Sequence, residues 1–329
     1  MWKKLAVLSV AGSLALVAPP ITAHAEASAE NYPNKPIRFI VGFPPGGSTD
    51  IVARIIVPPL SERLGQTIVL DHKAGAGGVI GVDTVAKAAP DGYTMGFGVS
   101  GALTANVTLM PDLPYDPLKD VAPISMVISN PLVLAVNSSL GATTLQEFIA
   151  LAKKNPDKFT YGTAGPGTGM NLAGELLKQE AGFQMRHVPY RGSSAAMVDL
   201  MAGHITAAIV DLATLKPHLD SGTLTALGVT SAKRTPLAPQ IPTIAESGVP
   251  GYEVVAWFGF LMPGGTPPAI ISKVHDALYA VLNDSKVSQQ LMAAGVEPAP
   301  GTPEQLGQQI DAEIKKYRDI IKTANITTH

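Results

Sequence analysis

Residues 37–56 read IRFIVGFPPGGSTDIVARII: an apolar run over 37–43, a Pro-Pro-Gly-Gly turn, then apolar positions at helical spacing. A short, almost unbroken apolar run is what a strand buried on both faces of a parallel sheet presents. The turn feeds a helix whose core face is expected at Ile51, Ile55, Leu60 and Leu64, and Pro58-Pro59 is expected to kink or divide it. The succession repeats downstream, with a strand over 67–70, a glycine-rich turn over 75–78, a helix reaching Ala88, and a strand over 93–99 after the Asp91-Gly92 turn. Strand, loop and helix in rotation predict an α/β domain with parallel strands.

A second α/β series follows residues 133–136. Thr144-Leu145-Gln146-Glu147 has the form of a capping box opening a helix to Lys154, and a strand over 159–162 runs into the turn TAGPGTG, residues 163–169. Further units are expected at 171–180, 186–190, 195–201, 205–210 and 224–229. The tail adds a strand over 257–262 and helices over 270–282 and 303–322, the last opened by Thr302-Pro303-Glu304-Gln305. Two series with a returning tail predict two lobes joined by more than one crossing, near 124–136 and 229–255. The expected division is 27–124 plus 250–329 for the first lobe and 125–249 for the second.

The chain has 329 residues and begins MWKK, continues apolar over 5–17 and reaches Ala23-His24-Ala25. That pattern reads as a secretory signal peptide over residues 1–25, too short in its apolar part to span a bilayer. The remainder is large enough for two domains. Cleavage removes Lys3 and Lys4 and no acid, which moves the net charge from −2 to −4 and gives no reason to expect nucleic acid or an anionic membrane as partner. With no cysteine there is no disulfide, no thiolate metal site and no acceptor for a lipid anchor. The seven histidines show no paired metal spacing, so no metal and no cofactor are expected.

Two segments bear on function: GFPPGGSTD, residues 42–50, and YGTAGPGTG, residues 161–169. Each joins a strand to the first turn of a helix, where unpaired N–H groups and the helix dipole attract an anion without a basic side chain. Gly46, Gly47, Gly165 and Gly167 are expected to let the backbone approach a carboxylate closely. Each turn alone is also what an ordinary α/β connection contains. A third glycine-rich stretch, AGAGGVIG over 74–81, lacks the GxGxxG spacing of a dinucleotide site and reads as a packing turn. Arg191 after Pro189-Tyr190 attracts an anion or is simply solvated or ion-paired. Ser48, His187 and Asp211 are the one serine triad that can be assembled, so an exported hydrolase stands as the rival class.

The strings YPNKPIRFIVGFPPGGSTDIVAR, LSERLGQ, AGAGG, AKAAPDGYT, YGTAGPGTG, VPYRG, PTIAESGVPGYE and PGGTPP, in this order, resemble the Bug family, the solute receptors of tripartite tricarboxylate-type transporters. The resemblance implies a two-lobed α/β periplasmic binding protein of type II, a Venus flytrap, that holds a small carboxylate and catalyses no reaction. It implies a first ligand loop with Phe43, Gly46, Gly47, Ser48, Thr49 and Asp50, and a second with Thr163, Ala164, Gly165, Gly167 and Thr168. Asp211 is expected to face the cleft, and Ser100, which ends the strand over 93–99, joins the ligand-binding set. The implied partners are a small organic carboxylate and the membrane components of such a transporter, with the receptor a periplasmic monomer that is not lipid-anchored. A receptor presenting its ligand to a membrane sensor is the third class. The sequence departs from the family pattern at Leu103, at Asp71-His72-Lys73-Ala74 and at Pro58-Pro59; Leu103 is expected to make the pocket more apolar.

Overall fold

A computed structural model describes Trp2, residues 31–219 and 221–323, and Ile326. The expected signal peptide lies, Trp2 apart, outside the described residues. No helix among them is long and apolar enough to cross a membrane.

The chain first builds β1 (Ile37–Val41), α1 (Ser48–Leu64), β2 (Ile68–His72), α2 (Val79–Ala86), β3 (Thr94–Val99), the short α3 (Ser100–Leu103) and α4 (Asn106–Leu109), and β4 (Val121–Asn130). It then forms β5 (Leu132–Asn137), α5 (Leu145–Lys154), β6 (Thr160–Thr163), α6 (Gly169–Glu180), β7 (Arg186–Pro189), α7 (Ser193–Met201), β8 (Ala207–Asp211), α8 (Leu212–Leu219) and β9 (Leu224–Val229). The tail supplies β10 (Ala256–Pro263), α9 (Pro268–Leu282), α10 (Ser285–Ala293), β11 (Glu297–Pro298) and α11 (Pro303–Thr323).

These strands form two sheets, β11-β4-β10-β3-β1-β2 and β7-β6-β8-β5-β9, each with apolar clusters on both faces. In the first, Phe39, Phe97 and Phe260 pack at centroid separations of 4.8 and 5.1 Å against the helical side that holds Val52, Ile56 and Leu60. In the second, Phe148, Tyr161 and Ile209 lie on one side and Val133, Ala208 and Leu200 on the other. Burial of apolar side chains on two faces explains why these strands read as continuous apolar runs.

Three expectations change. The sheets are mixed: β10 runs antiparallel to β3 and β4, and β5 antiparallel to β8 and β9, because strands that cross between sheets must return. The boundary expected at 124/125 falls inside β4, which pairs with β10 through Asn130; Pro131 alone separates it from β5. On the return, Val254 N–H donates to Thr230 O at 2.9 Å and Ala256 already pairs with Asn130, so the chain re-enters the first sheet beyond residue 250. Finally, α1 passes through Pro58 and Pro59 undivided, and its buried face is Val52, Ile56, Leu60 and Leu64, one residue on from Ile51 and Ile55. The core contacts of that face offset the two backbone bonds that proline removes.

The last helix ties the lobes together. Leu306, Ile310 and Ile314 of α11 pack on the first sheet, while Tyr317 and Ile321 reach Leu172 of α6.

Candidate functional site

The loop after β1 delivers the first turn of α1. Its N-cap, Gly47, is extended at φ −89° and makes no side-chain cap, so the N–H groups of Ser48 and Thr49 lack both a helical acceptor and a capping side chain. Asp50 is buried and reaches back: Oδ2 accepts the Gly46 N–H at 3.0 Å and Arg54 Nε at 2.9 Å, while Oδ1 pairs with His72 Nε2 at 2.9 Å. Burial pushes the Asp50 carboxyl up, but the bonds from Arg54, Gly46 and His72 outweigh it and hold it below the usual carboxylate value.

The loop after β6 repeats the device. Gly165 N–H donates to Thr163 Oγ1 and Gly167 N–H to Asn171 Oδ1, both at 3.1 Å. Thr168 caps α6 by accepting the Asn171 N–H, which leaves the N–H groups of Gly169 and Met170 as the uncapped pair. A third loop, after β7, brings in α7 with Gly192 as an N-cap that makes no side-chain bond.

All three helix starts open on one cavity of about 260 Å³. Its walls are Phe43 to Pro45 and Gly47 to Thr49 from the first loop, Ala164 and Thr168 to Met170 from the second, and Arg191 to Ala195 from the third. Val99 to Gly101, Asn130, Ala256 and Phe258 complete it along the crossing strands. Among the described residues no Asp or Glu lines the cavity, and Arg191 is the one charged side chain in its wall. The lobes meet around it: a Cβ on Gly77 would lie 2.5 Å from Pro166 O, and one on Gly192 would lie 3.4 Å from Pro44 Cδ. The AGAGG turn is therefore a packing turn between lobes.

Of the residues expected from the sequence, Phe43, Gly47, Ser48, Thr49, Ser100, Ala164 and Thr168 come together in the wall. Gly46, Asp50, Thr163, Gly165 and Gly167 lie behind it, their polar groups engaged with one another or with Asn171, Arg54, His72 and His187. The N–H groups left without an acceptor sit in the first turns of the helices, past Gly47 and Gly167. Asp211 is a correction: it is wholly buried beneath α7, accepting Ser193 Oγ at 2.7 Å, Thr214 N at 2.9 Å and Thr214 Oγ1 at 2.7 Å. Leu103 is a second, since it is fully buried in the first lobe's core with Leu261 and Trp257 and does not reach the cavity.

The serine triad is not assembled. Ser48 lines the wall, but His187 Nε2 lies 2.7 Å from Thr163 Oγ1 and Asp211 bonds Ser193 and Thr214. Burial lowers His187 to about 4, so the ring is neutral. Among the described residues no group of His, Asp and Glu is placed to hold a metal ion. Sequence reasoning missed Asn130, Met170, Ser193, Ser194 and Phe258; the available signal for α7 was Arg191-Gly192-Ser193-Ser194, a third strand-to-helix turn with glycine at the N-cap.

The tripartite tricarboxylate transporter family receptor model, TctC, matches residues 52–326. Protein BugT of Bordetella pertussis is 38% identical over 323 residues, 98% of this chain and 97% of that protein. Among solved structures, R. palustris Rpa4515 with adipate superposes at TM-score 0.87 with 36% identity, covering 90% of this chain and 99% of that one. MatC from Rhodopseudomonas palustris with bound malate gives 0.84 with 31% identity, over 88% and 100%. With two sheets flanking a cavity on which three helix starts converge, and a family match over most of its length, the chain belongs to the tripartite tricarboxylate transporter receptor family, the Bug-type solute-binding proteins.

Proposed function

We propose that this chain captures a small carboxylate in the periplasm, closes on it, and presents the closed form to the membrane components of a tripartite transporter. It acts as a monomer, freed of residues 1–25, and performs no reaction. The observation that carries this reading is the convergence of helix starts whose first amides have no capping partner, α1 from one lobe and α6 and α7 from the other, on a cavity whose described wall holds no acidic residue. Ser48, Thr49, Gly169 and Met170 are the amide donors to the carboxylate, with the hydroxyls of Ser48, Thr49 and Ser100 beside them. A helix terminus contributes roughly 0.3–2 kcal/mol and each hydrogen bond to a charged group about 1.5–3. Four such donors and two termini reach the ~8 kcal/mol of micromolar binding.

The cavity is smaller than the ~300–1,000 Å³ of drug-sized sites, in keeping with a small metabolite. Two relatives carry adipate and malate in their solved structures, which supports the same chemical class here.

A thermal-shift panel of mono-, di- and tricarboxylates, each beside its neutral amide, tests the reading. At a hundred times Kd, one acid should raise Tm by about 4 °C or more while its amide does nothing. Equal shifts for acid and amide, or turnover of esters lost on Ser48→Ala, would contradict it.

A further inference from the structure

We infer that the ligand carries an uncharged hydroxyl beside its carboxylate, and that Asn130 is the residue that reads it. This deepens the carboxylate reading above and rests on it. Asn130 ends β4, one residue before the chain crosses to the second sheet, and stands in the cavity wall although only 1% of its surface is exposed. Its Oδ1 is buried and has no hydrogen-bond partner. A buried, unpartnered amide oxygen costs free energy, and with no bond to hold it the amide is free to turn and present either of its polar atoms to a ligand in the cavity.

The chemistry of the wall narrows that group. Oδ1 accepts, so the ligand must donate; after a half-turn of the amide, Nδ2 would donate instead. A hydroxyl serves both orientations, as it both donates and accepts. Ser194 Oγ, also buried, without a partner and in the wall, serves a hydroxyl equally well.

An ammonium would donate too, but it would enter among the positive ends of α1, α6 and α7, next to Arg191, with no Asp or Glu in the wall to balance it. A bare hydrocarbon chain would leave Asn130 unsatisfied. Sites built to hydrogen-bond a ligand hydroxyl reject the analogue lacking it far more strongly than apolar pockets discriminate by size. Asn130 is thus a specificity-determining residue for a hydroxycarboxylate, against both the plain acid and the amino acid.

Calorimetry with three matched sets tests this: succinate, malate and aspartate; glutarate, 2-hydroxyglutarate and glutamate; butyrate and 3-hydroxybutyrate. In the unaltered protein the hydroxy acid of the best-bound set should bind at least tenfold tighter than the plain acid, with the amino acid of a diacid set weakest. Asn130→Leu should abolish that preference, bringing hydroxy and plain acid to within about threefold of each other, while an unchanged circular dichroism spectrum and thermal transition report an intact fold. Asn130→Asp, close in shape, should move the ranking toward the amino acid. A plain acid binding as tightly as its hydroxy partner, an amino acid binding best, or a preference that survives Asn130→Leu would overturn the inference and leave the carboxylate reading standing. Failure of every acid to bind would remove both.

Discussion

Gly47 and Gly165 belong to the two opposed loops, and a Cβ meets different surroundings at each. At Gly47 the backbone is extended and nothing lies within 4 Å, so a side chain there enters the open space of the cavity without strain. Gly47→Val should therefore weaken carboxylate binding at least tenfold by calorimetry with Tm changed little. Gly165 has φ +124°, and its Cβ would lie 3.3 Å from Tyr190 O. Gly165→Val should lower stability by about 1–3 kcal/mol in urea unfolding as well as harming the site. Asp211→Ala leaves the Ser193 hydroxyl and two Thr214 donors without their acceptor, at roughly 2–5 kcal/mol, and should lower Tm while also loosening the start of α7. His187 is depressed from 6.5 to about 4 by burial, so the unfolded chain binds its proton first; stability present above pH 6.5 is lost as pH falls toward 4. His187→Gln should flatten the unfolding free energy across that window. At this scale the sequence revealed the turns and the helix starts they feed, but not which glycine N–H groups are already taken by side chains. A paired signal was there: Gly46 and Asp50, and Gly167 and Asn171, stand four apart, and in each case the side chain reaches back to occupy the glycine N–H. Asn130 was hidden because a polar residue ending an apolar stretch has the same sequence appearance whether it faces water or a cavity.

Helices with local punctuation were the most legible elements. Thr144 and Glu147 form the expected reciprocal cap of α5, with Thr144 Oγ1 accepting the Glu147 N–H at 3.2 Å. Thr144→Ala should cost about 1 kcal/mol in urea unfolding and leave ligand affinity unchanged, since α5 contributes nothing to the cavity wall. The starts of α1, α6 and α7 differ in kind. Two have no side-chain cap, and α6 has a cap only at its third amide, so their dipoles remain available to a ligand. Among the elements that escaped the sequence reading, two did so for clear physical reasons. β4 carries Pro123 and a polar–apolar alternation, which resembles a linker until β10 pairs with it. α10 is short and mostly polar, with Val287 and Leu291 as its buried contacts, too few to show a period.

Across the whole molecule, the two-lobed division followed from length and from two successive strand–helix series, and the junction at Pro131 falls inside the expected 124–136 window; the exact boundary did not follow, because it depends on which sheet each strand joins. The close approach of the lobes depends on glycine at the seam. A Cβ on Gly101 would collide with Gly167 O and stand 3.0 Å from Thr168 Cα, so backbone meets backbone between the lobes. Gly101→Val should hold the lobes apart: small-angle scattering should give a larger radius of gyration that no carboxylate reduces, with affinity down at least tenfold. Backbone amide NMR during titration with the tightest-binding acid of the panel reports most directly what grips the ligand once the lobes meet. The amide protons of Ser48, Thr49, Gly169 and Met170 should shift downfield together, from both sides of the cavity, and the neutral amide of the same acid should leave them in place. Saturable binding that leaves those four signals unmoved, with perturbation confined to the Arg191 side chain or to one lobe, would contradict the account.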